Sequence, residues 1–436
     1  MITSGKKILL LVYALSPSRG SEYAVAWNYI TEMSKDNNLT VLYGTTGDHL
    51  GEIDPPDEHQ ALFPHGNVHL VPVYSNRLIC WVNSLNRKGV FVYSFYFAYN
   101  LWHRQVFRVA RELIRRQHFD LIHYLGPIGY REPGYLWKLN LPYIWGPIGG
   151  MDDIAPTLLK SLPSVGKIKL GMRTILNKLQ LSFSWRVHRA IRHADVLLAS
   201  TTETRNIIQQ RFGVDAIYLP ENAIKGTINL PNPEKFNQAQ IHLIWIGRID
   251  ANKSLGTVLD AVGLMKHRAV IRLHIVGDGP LEGAMRRKVG ELGLGESIIW
   301  HGKVERKQVF ELLKKAHLHI ISSCIEANTT VIFEAMANSV PTISLDHCGM
   351  HDTICEQCGI KIPVIDYRQV VADFAEEFDK ITQAPERLQT LAAGTTQCAR
   401  KYTWGLRREF LNRIYDVAIS HFERTNYPVK SPDENV

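Results

Sequence analysis

The 436-residue sequence lacks several features that would assign it directly to a class of protein. No apolar stretch reaches the roughly 18 to 20 residues that are needed to cross a bilayer. Neither half has a Walker A sequence, or a Gly-x-Gly-x-x-Gly fingerprint after its first strand, which disfavours kinases, ATPases and simple dehydrogenases. Tandem repeats and low-complexity tracts are missing too. With 45% hydrophobic and 21% charged residues, the composition is that of a globular protein.

Cysteine is scarce, with six residues in the whole chain. In a chain without an export signal we expect them to be reduced, and most of them to be small core residues. His347, Cys348, His351, Cys355 and Cys358 superficially resemble a set of zinc ligands. They lack the two Cys-x-x-Cys pairs of a structural zinc site, so we predict no metal there.

The N-terminal segment KKILLLVYALSPS combines two lysines with a short apolar run, as a secretory signal does. We favour a first β-strand instead, because the run leads directly into a glycine-containing turn and the helical pattern AVAWNYITEM. We therefore expect a cytoplasmic protein.

Positive charge is concentrated in the first half, because residues 1–220 carry the entire net charge of +8. No acidic residue occurs from Ile154 to Ala194, where basic and apolar residues mix as they do in segments that lie on anionic membranes. The aromatic-rich segment Val90 to Trp102 is a second candidate for the membrane interface. The alternative is that both are core-packed helices with solvated basic faces. Nucleic acid is not an expected partner, because no binding motif accompanies the charge.

Predicted strands and helices alternate along the chain, which indicates parallel sheets. The segment LPENAIKGTINLPNPEKF has three prolines and little periodicity, so we predict a linker near residue 220. We predict a Rossmann-like N-terminal domain at 1–219, joined by a C-terminal helix at about 403–422. A second Rossmann-like domain is predicted at 224–402, followed by a disordered tail at 423–436.

Two carboxylates, Glu326 and Glu334, lie eight residues apart in EANTTVIFE, between a predicted buried strand and a predicted helix. Thr329 and Thr330 are suited to cap that helix. A helix N-terminus attracts phosphate, and a carboxylate one turn inside can accept hydrogen bonds from a sugar diol. The arrangement fits a nucleotide-sugar. The alternative is a loop carboxylate and a second one that merely favours the helix dipole.

Two further loops follow predicted strands of the second half. IGRIDANKS supplies Arg248 and Lys253, two cations that could hold a diphosphate, although a solvated basic loop is the alternative. VGDGP contains Gly277, which permits a tight turn and close approach of a ligand, or simply a connection between strand and helix.

The order of these motifs is GRxxxxK, VGDGP, HGKV, and ExxxxxxxE followed by AMANSVP. Over roughly residues 240–365 this order and spacing closely resembles the C-terminal donor domain of family 4 glycosyltransferases. The resemblance implies an α/β chain with the GT-B fold, in which two Rossmann-like doubly wound domains face an interdomain cleft. It also implies retention of anomeric configuration and no requirement for a metal or another cofactor.

Carried over by residue, the resemblance implies that Arg248 and Lys253 bind the donor diphosphate. It implies that Glu334 binds the ribose hydroxyls and that Glu326 contacts the transferred sugar or its phosphate environment. The sequence departs from the family pattern at Ser254, where glycine is usual, and at EANT, where EGFG is more frequent.

The N-terminal half matches the family more loosely. SRGSEYAVAWN resembles the loop that closes over the donor phosphate, with Gly20 allowing close backbone approach, although an ordinary turn is the alternative. His123 ends a predicted strand, as does a histidine that lies near the transferred sugar in many family members. A lone histidine is otherwise a structural residue.

We therefore predict a retaining hexosyl- or glycosyltransferase that uses a UDP- or GDP-sugar and a saccharide acceptor, which we expect to be a lipid-linked oligosaccharide. Its expected role is the assembly of bacterial exopolysaccharide, capsule or lipopolysaccharide, at the inner face of the cytoplasmic membrane. Transfer requires departure of a nucleoside diphosphate and a cation-like sugar at the transition state. The alternatives are another GT-B enzyme, namely an epimerase or phosphorylase, and a non-catalytic sugar-binding scaffold.

Overall fold

The structure is a computed structural model that describes residues 5–17, 22–44, 50, 56–63, 66–91 and 94–426. The chain divides into two compact units. Unit 1 comprises Met1–Met151, Leu179–Glu221 and Trp404–Val436, and unit 2 comprises Asp152–Lys178 and Asn222–Thr403.

Unit 1 is built on a seven-stranded parallel sheet. Its strands are β1 (Lys7–Leu11), β2 (Asn38–Tyr43), β3 (Val68–Pro72), β4 (Leu121–Tyr124), β5 (Tyr143–Ile148), β6 (Val196–Ala199) and β7 (Ile217–Tyr218). Its helices are α1 (Glu22–Met33), α2 (Pro56–Gln60), α3 (Arg77–Arg87), α4 (Ser94–Arg116), α7 (Trp185–His193), α8 (Thr202–Phe212) and α16 (Trp404–Asn426). The strand order is β3-β2-β1-β4-β5-β6-β7.

Unit 2 is built on a six-stranded parallel sheet. Its strands are β8 (Ile241–Ile246), β9 (Ile271–Val276), β10 (Ile298–Gly302), β11 (Leu318–Ile321), β12 (Thr342–Leu345) and β13 (Gly359–Ile362). Its helices are α5 (Pro156–Ser161), α6 (Ser164–Phe183, ending in unit 1), α9 (Leu255–Leu264), α10 (Glu282–Glu291), α11 (Arg306–Lys315), α12 (Thr330–Ala337), α13 (Cys348–Thr353), α14 (Tyr367–Gln383) and α15 (Glu386–Ala399). The strand order is β10-β9-β8-β11-β12-β13.

The central strands are short runs of buried, mostly apolar residues. Leu9 to Leu11 of β1 and all four residues of β4 are buried. Strands of a parallel sheet are covered by helices on both faces, so they read as continuous apolar runs and not as alternating ones. The apolar run near the N-terminus is therefore a strand, as predicted. The prediction of two Rossmann-like units with parallel sheets is confirmed.

The segment 152–178 differs from the predicted domain boundaries, which placed it with the N-terminal half. Its apolar residues Ile154, Leu158, Leu162 and Leu170 are buried in the hydrophobic core of unit 2. Burial of apolar surface is non-directional, so the segment joins the core that its apolar side chains can enter, whatever its position in the chain.

The C-terminal helix α16 belongs to unit 1, far in sequence from the rest of that unit. It packs against α1 and the strands β4, β5 and β6. Asn37 donates a hydrogen bond to Asn412 at 2.9 Å, and the hydroxyl of Tyr415 lies 3.1 Å from Nδ1 of His123. The helix therefore completes the core of unit 1.

The aromatic segment from Val90 to Trp102 is divided between core and surface. Tyr99 and Trp102 are buried in unit 1, whereas Val90 and Phe97 are exposed. Part of this segment is therefore core packing, as the alternative interpretation predicted. Among the helices within the described ranges, none is long and apolar enough to cross a membrane.

Candidate functional site

The carboxyl ends of the unit 2 strands meet at a topological switch point. β8 pairs with β9 on one side and with β11 on the other. The later strands are added outward from β8 on both sides. Open α/β sheets bind ligands in the crevice beyond such a point. A cavity there is lined by Trp245, Lys253, His319, Ser322 and Thr329 among others.

The loop after β8 presents two cations, Arg248 and Lys253. The Asp250 carboxylate shapes this loop, because it accepts hydrogen bonds at 3.0 Å from the backbone N–H groups of Asn252 and Lys253. The Arg248 side chain is 72% exposed, and its Nε lies 3.9 Å from Asp250. The Lys253 ammonium forms an ion pair with the carboxylate of Glu326. The structure therefore brings together two of the predicted site residues that lie far apart in the sequence.

Hydrogen bonds of Asn252 connect the loop that carries Glu326 to the loop that carries Lys253. Its side-chain amide donates to the carbonyl of Ile325 at 2.9 Å and accepts from the backbone N–H of Ile325 at 3.2 Å. The backbone carbonyl of Asn252 accepts from the backbone N–H of Cys324 at 2.8 Å. Our sequence analysis missed Asn252. The Asp-x-Asn spacing of Asp250 and Asn252 is a signal of a local turn, but it does not reveal which distant segment the amide contacts.

Glu334 lies in the middle of α12 and has a partner that the sequence did not indicate. Nη2 of Arg306, the first residue of α11, lies 2.5 Å from Oε1 of Glu334. Burial raises the pKa of Glu334, and the neighbouring guanidinium opposes that rise. The pairing fixes the direction of this carboxylate. Because Arg306 and Glu334 come from different helices, no local pattern could have predicted it.

The start of α12 agrees with the prediction in position. The helix begins at Thr330, and Thr329 has the extended backbone of an N-cap residue. The Thr329 side chain makes no capping hydrogen bond, so Thr329 is the N-cap residue by position but not through its side chain. Thr329 instead lines the cavity at the switch point.

Gly277 follows β9 with a φ of +128°, which disfavours any residue with a side chain. A Cβ atom there would lie 1.9 Å from the carbonyl oxygen of Gly247, which directly follows β8. The first glycine in VGDGP is therefore required by the close approach of the two strand ends.

The two departures from the family pattern have visible structural counterparts. Ser254 adopts a left-handed backbone with a φ of 48°, a conformation that favours glycine. A hydrogen bond constrains the EANT loop, because the N–H of Gly349 donates to the carbonyl of Glu326 at 3.0 Å. A Cβ atom at Gly349 would lie 1.3 Å from the carbonyl oxygen of Ala327. The loop conformation thus depends on a glycine outside the motif.

His123 lies within β4 of unit 1 and is fully buried. Its Nε2 lies 2.8 Å from the Gly146 carbonyl, so Nε2 carries the proton, and Nδ1 accepts from Tyr29 at 2.7 Å or Tyr415 at 3.1 Å. Burial lowers the pKa of His123 to about 4, with the Gly146 hydrogen bond opposing that shift. The ring is therefore neutral at pH 7 and fixed in one tautomer. The other site residue predicted in this half, Gly20, lies outside the described residues.

Unit 1 has an apolar cavity at the corresponding ends of its strands. It is lined by residues that follow β1 and β4 and by Pro147 of β5, among them Tyr13, Leu125 and Ile128. Gly146, within WGPIGG, has a φ of +129°, and a Cβ atom there would lie 2.2 Å from the carbonyl of Leu198. A side chain at this position is therefore incompatible with the pairing of β5 and β6.

Comparison with known proteins assigns the region around the switch point to a known type of domain. Residues 227–395 match the family described as glycosyl transferases group 1. This match includes Arg248, Lys253, Gly277, Glu326 and Glu334, and it spans less than half of the chain.

The similarity extends to curated enzymes and to solved structures. The lipopolysaccharide 1,6-galactosyltransferase of Salmonella typhimurium is 28% identical over 183 residues, which are 40% of this chain and 49% of that protein. The lipopolysaccharide outer core galactosyltransferase WaaB superposes with a TM-score of 0.65 over 94% of this chain and 99% of its own, at 17% identity. Anabaena HepE, solved in complex with UDP and glucose, superposes with a TM-score of 0.61 over 94% of this chain and 99% of its own, at 13% identity.

The fold is GT-B. Both sheets of this chain take part in the superposition, because it covers nearly the whole of each GT-B structure. The sequence similarity is narrower than the structural similarity, and the chain spans about half the length of the curated relatives that it matches.

Proposed function

We propose that this protein is a retaining glycosyltransferase that moves a sugar from a UDP- or GDP-sugar to a saccharide acceptor. The observation that carries the proposal is the ion pair between Lys253 and Glu326 at the switch point of unit 2, on the loops that also carry Arg248 and lead to Glu334 of α12. All four residues fall within the part of the chain that matches glycosyl transferases group 1. Two cations and two carboxylates at this place suit a ligand that is anionic at its diphosphate and rich in hydroxyls at its sugars.

The two cations would hold the donor diphosphate and stabilise the charge that grows on it as the sugar leaves. Lys253 is already turned toward the cavity, where it meets Glu326. An incoming diphosphate would compete with Glu326 for the ammonium, which would direct the Glu326 carboxylate toward the transferred sugar. Fixed charges in a site that excludes water stabilise a transition state without reorganisation.

Glu334 would bind the nucleotide ribose. Arg306 holds Oε1 of its carboxylate, so the ribose hydroxyls would donate to Oε2. The N-terminus of α12, near Thr329 and Thr330, would face the phosphates. In this arrangement Arg248 and Lys253 perform the charge neutralisation that a divalent ion performs elsewhere, and we propose transfer without a metal or another cofactor. The leaving phosphate would accept the acceptor's proton during same-face attack.

His123 would act as a positioning residue. Its ring uses Nε2 to hold the Gly146 carbonyl and Nδ1 to receive a tyrosine hydroxyl, and it is fully buried. We propose that it fixes the WGPIGG segment beside the apolar cavity of unit 1. That cavity would receive the acceptor, which we propose to be a lipid-linked oligosaccharide in exopolysaccharide, capsule or lipopolysaccharide assembly.

Thermal shift with UDP-, GDP- and ADP-sugars tests donor binding, since a ligand that binds only the native state raises the Tm. We expect a UDP- or GDP-sugar to raise the Tm of the wild type. Glu334→Gln should abolish most of the shift, because the amide oxygen would stay with Arg306 and the amide nitrogen, which only donates, would face the ribose hydroxyls. Glu291→Gln, at the exposed end of α10, is the matched control and should retain the shift. A wild-type Tm that no nucleotide-sugar changes would refute the proposal.

The helix α6 offers a surface for a membrane that carries such an acceptor. Along one face it exposes an apolar residue every three or four positions, with exposures from 48% at Met172 to 80% at Val165. The members of this α6 stripe are Val165, Ile168, Met172, Ile175, Leu179 and Phe183. Lys167, Lys169 and Lys178 lie on the same helix. We propose that the stripe enters the headgroup region of an anionic bilayer while the lysines contact the headgroups.

Cosedimentation with vesicles tests this surface. We expect the wild type to bind vesicles with anionic lipid and not neutral ones, and to release them at high salt. The double variant Ile168→Asp and Ile175→Asp should bind at least about tenfold more weakly, because it removes two apolar anchors and adds negative charge. Leu264→Asp changes an exposed leucine elsewhere in unit 2 and should bind as the wild type does. Equal binding to neutral vesicles, or a dimer that the double variant abolishes, would contradict the membrane assignment.

A further inference from the structure

Three cysteine sulfurs converge in unit 2 at a place that donor binding does not use. Sγ of Cys355 lies 3.3 Å from Sγ of Cys358 and 3.0 Å from Sγ of Cys398. All three sulfurs lie within 4.8 Å of one another. Cys358 and Cys398 are buried, and Cys355 is partly exposed.

This cluster differs from the zinc-like set that the sequence suggested. Nε2 of His347 lies 3.2 Å from the carbonyl of Asp153, and Nδ1 of His351 lies 2.7 Å from the Asp346 carboxylate, so one nitrogen of each ring is engaged away from the three sulfurs. The third thiol instead comes from Cys398, at the C-terminal end of α15. Sequence spacing could not indicate it, because 40 residues separate it from Cys358.

The backbone segments that carry the three cysteines, the turn after α13 and the end of α15, lie in close contact. Cys355 and Cys358 close a tight turn, in which the N–H of Cys358 donates to the carbonyl of Cys355 at 3.0 Å. α15 packs directly on this turn, since a Cβ atom at Gly394 would lie 2.0 Å from the carbonyl of Gln357. Thr395 donates to the carbonyl of Cys358 at 3.2 Å. The turn and the helix end are therefore held together independently of the sulfurs.

We propose that Cys355, Cys358 and Cys398 form a three-thiolate site for a thiophilic cation, Zn²⁺ or Cu⁺. Soft sulfur ligands select these ions over harder ones. Tetrahedral Zn–S bonds of about 2.3 Å place the sulfurs roughly 3.8 Å apart, so the separations from Cys355 to Cys358 and to Cys398 would have to lengthen by about 0.5 and 0.8 Å. The partly exposed Cys355 gives the ion a path of entry, and a water molecule would complete a tetrahedral zinc site.

A bound ion would cross-link the turn after α13 to the end of α15, next to α12. Cys358 and Cys398 share a hydrophobic cluster with Phe333 and Met336 of α12, the helix that carries Glu334. The site is thus structural in character. Its occupancy would change the stability of unit 2 and not the chemistry of transfer.

Titration with Cd²⁺, whose thiolate complexes absorb in the ultraviolet, tests the site on the full chain in a non-chelating phosphine reductant. We expect one equivalent to saturate the charge-transfer band of the wild type, with the softer Cu⁺ displacing Cd²⁺ and Zn²⁺ doing so only in large excess. Cys355→Ser and Cys398→Ser should each remove most of the band. Cys80→Ser, which changes the exposed cysteine of α3, should leave it intact.

Zn²⁺ and Cu⁺ should also raise the Tm of the wild type and of Cys80→Ser, but not that of Cys355→Ser. Because Cys355 is partly exposed, its serine variant should fold even if Cys398→Ser does not. Absence of the band in the fully reduced wild type would overturn the proposal. A band of full strength in Cys355→Ser would overturn it as well.

Discussion

Lys253→Ala should lower kcat of sugar transfer by about 10²- to 10³-fold, the usual effect of removing one fixed group that stabilises transition-state charge. Lys253 is the cation that the loop after β8 turns into the cavity at the switch point, and Glu326 is its present partner. Steady-state kinetics with the donor identified by thermal shift would measure the effect. KM for the donor should rise as well, because the diphosphate is bound before it leaves.

Lys266→Ala is the matched control, because it removes an exposed lysine of the same unit. It should leave kcat and KM unchanged. Glu326→Gln adds a second comparison, since it removes the partner of Lys253 but keeps the cation. If Lys253→Ala transferred sugar at the wild-type rate, the diphosphate would have to be bound elsewhere.

Gly277→Ala should destabilise unit 2 by roughly 2 to 4 kcal/mol, from backbone strain at positive φ and from overpacking. The new Cβ would meet the Gly247 carbonyl at 1.9 Å, and neither atom belongs to a flexible side chain. The strand ends would have to separate, and Arg248 follows Gly247 directly. We therefore expect a lower urea midpoint together with loss of the nucleotide-induced Tm shift.

Gly290→Ala provides the comparison within the same unit. Gly290 lies in α10, and no atom lies within 4 Å of where its Cβ would be, so alanine should be tolerated or slightly stabilising. An unchanged urea midpoint in Gly277→Ala would mean that the two strand ends can separate without cost.

The sequence predicted best those features that depend on local pattern. β1, at Lys7–Leu11, lies within the N-terminal apolar run that predicted a strand, and β4 also stands out as a buried, mostly apolar run. The loops that carry Lys253 and Glu326 follow the neighbouring parallel strands β8 and β11, so the strand order explains why they meet, but the ion pair itself was not predicted.

The features that the sequence did not predict are pairings between distant segments. Arg306 reaches Glu334, and Asn252 reaches the loop before α12, through side chains whose partners no periodicity identifies. Residues 152–178 enter the core of unit 2, although they precede the predicted linker by more than forty residues. Each of these outcomes depends on which surfaces can pack together in three dimensions, and not on the propensity of a short segment.

The environment of His123 is a further feature that the sequence did not predict. Its position in a strand and the family resemblance suggested contact with the sugar. The structure surrounds it with Gly146, Tyr29 and Tyr415, the last of which comes from the C-terminal helix. We propose that His123, buried among these partners, holds its neighbours in place, and only the fold reveals that environment.

A crystal structure with the nucleoside diphosphate selected by thermal shift tests the central claim most directly. The account predicts the diphosphate beside Arg248 and Lys253 at the N-terminus of α12, with the ribose hydroxyls on the Glu334 carboxylate. A nucleotide bound anywhere else on the chain, with Lys253 still paired to Glu326, would contradict it.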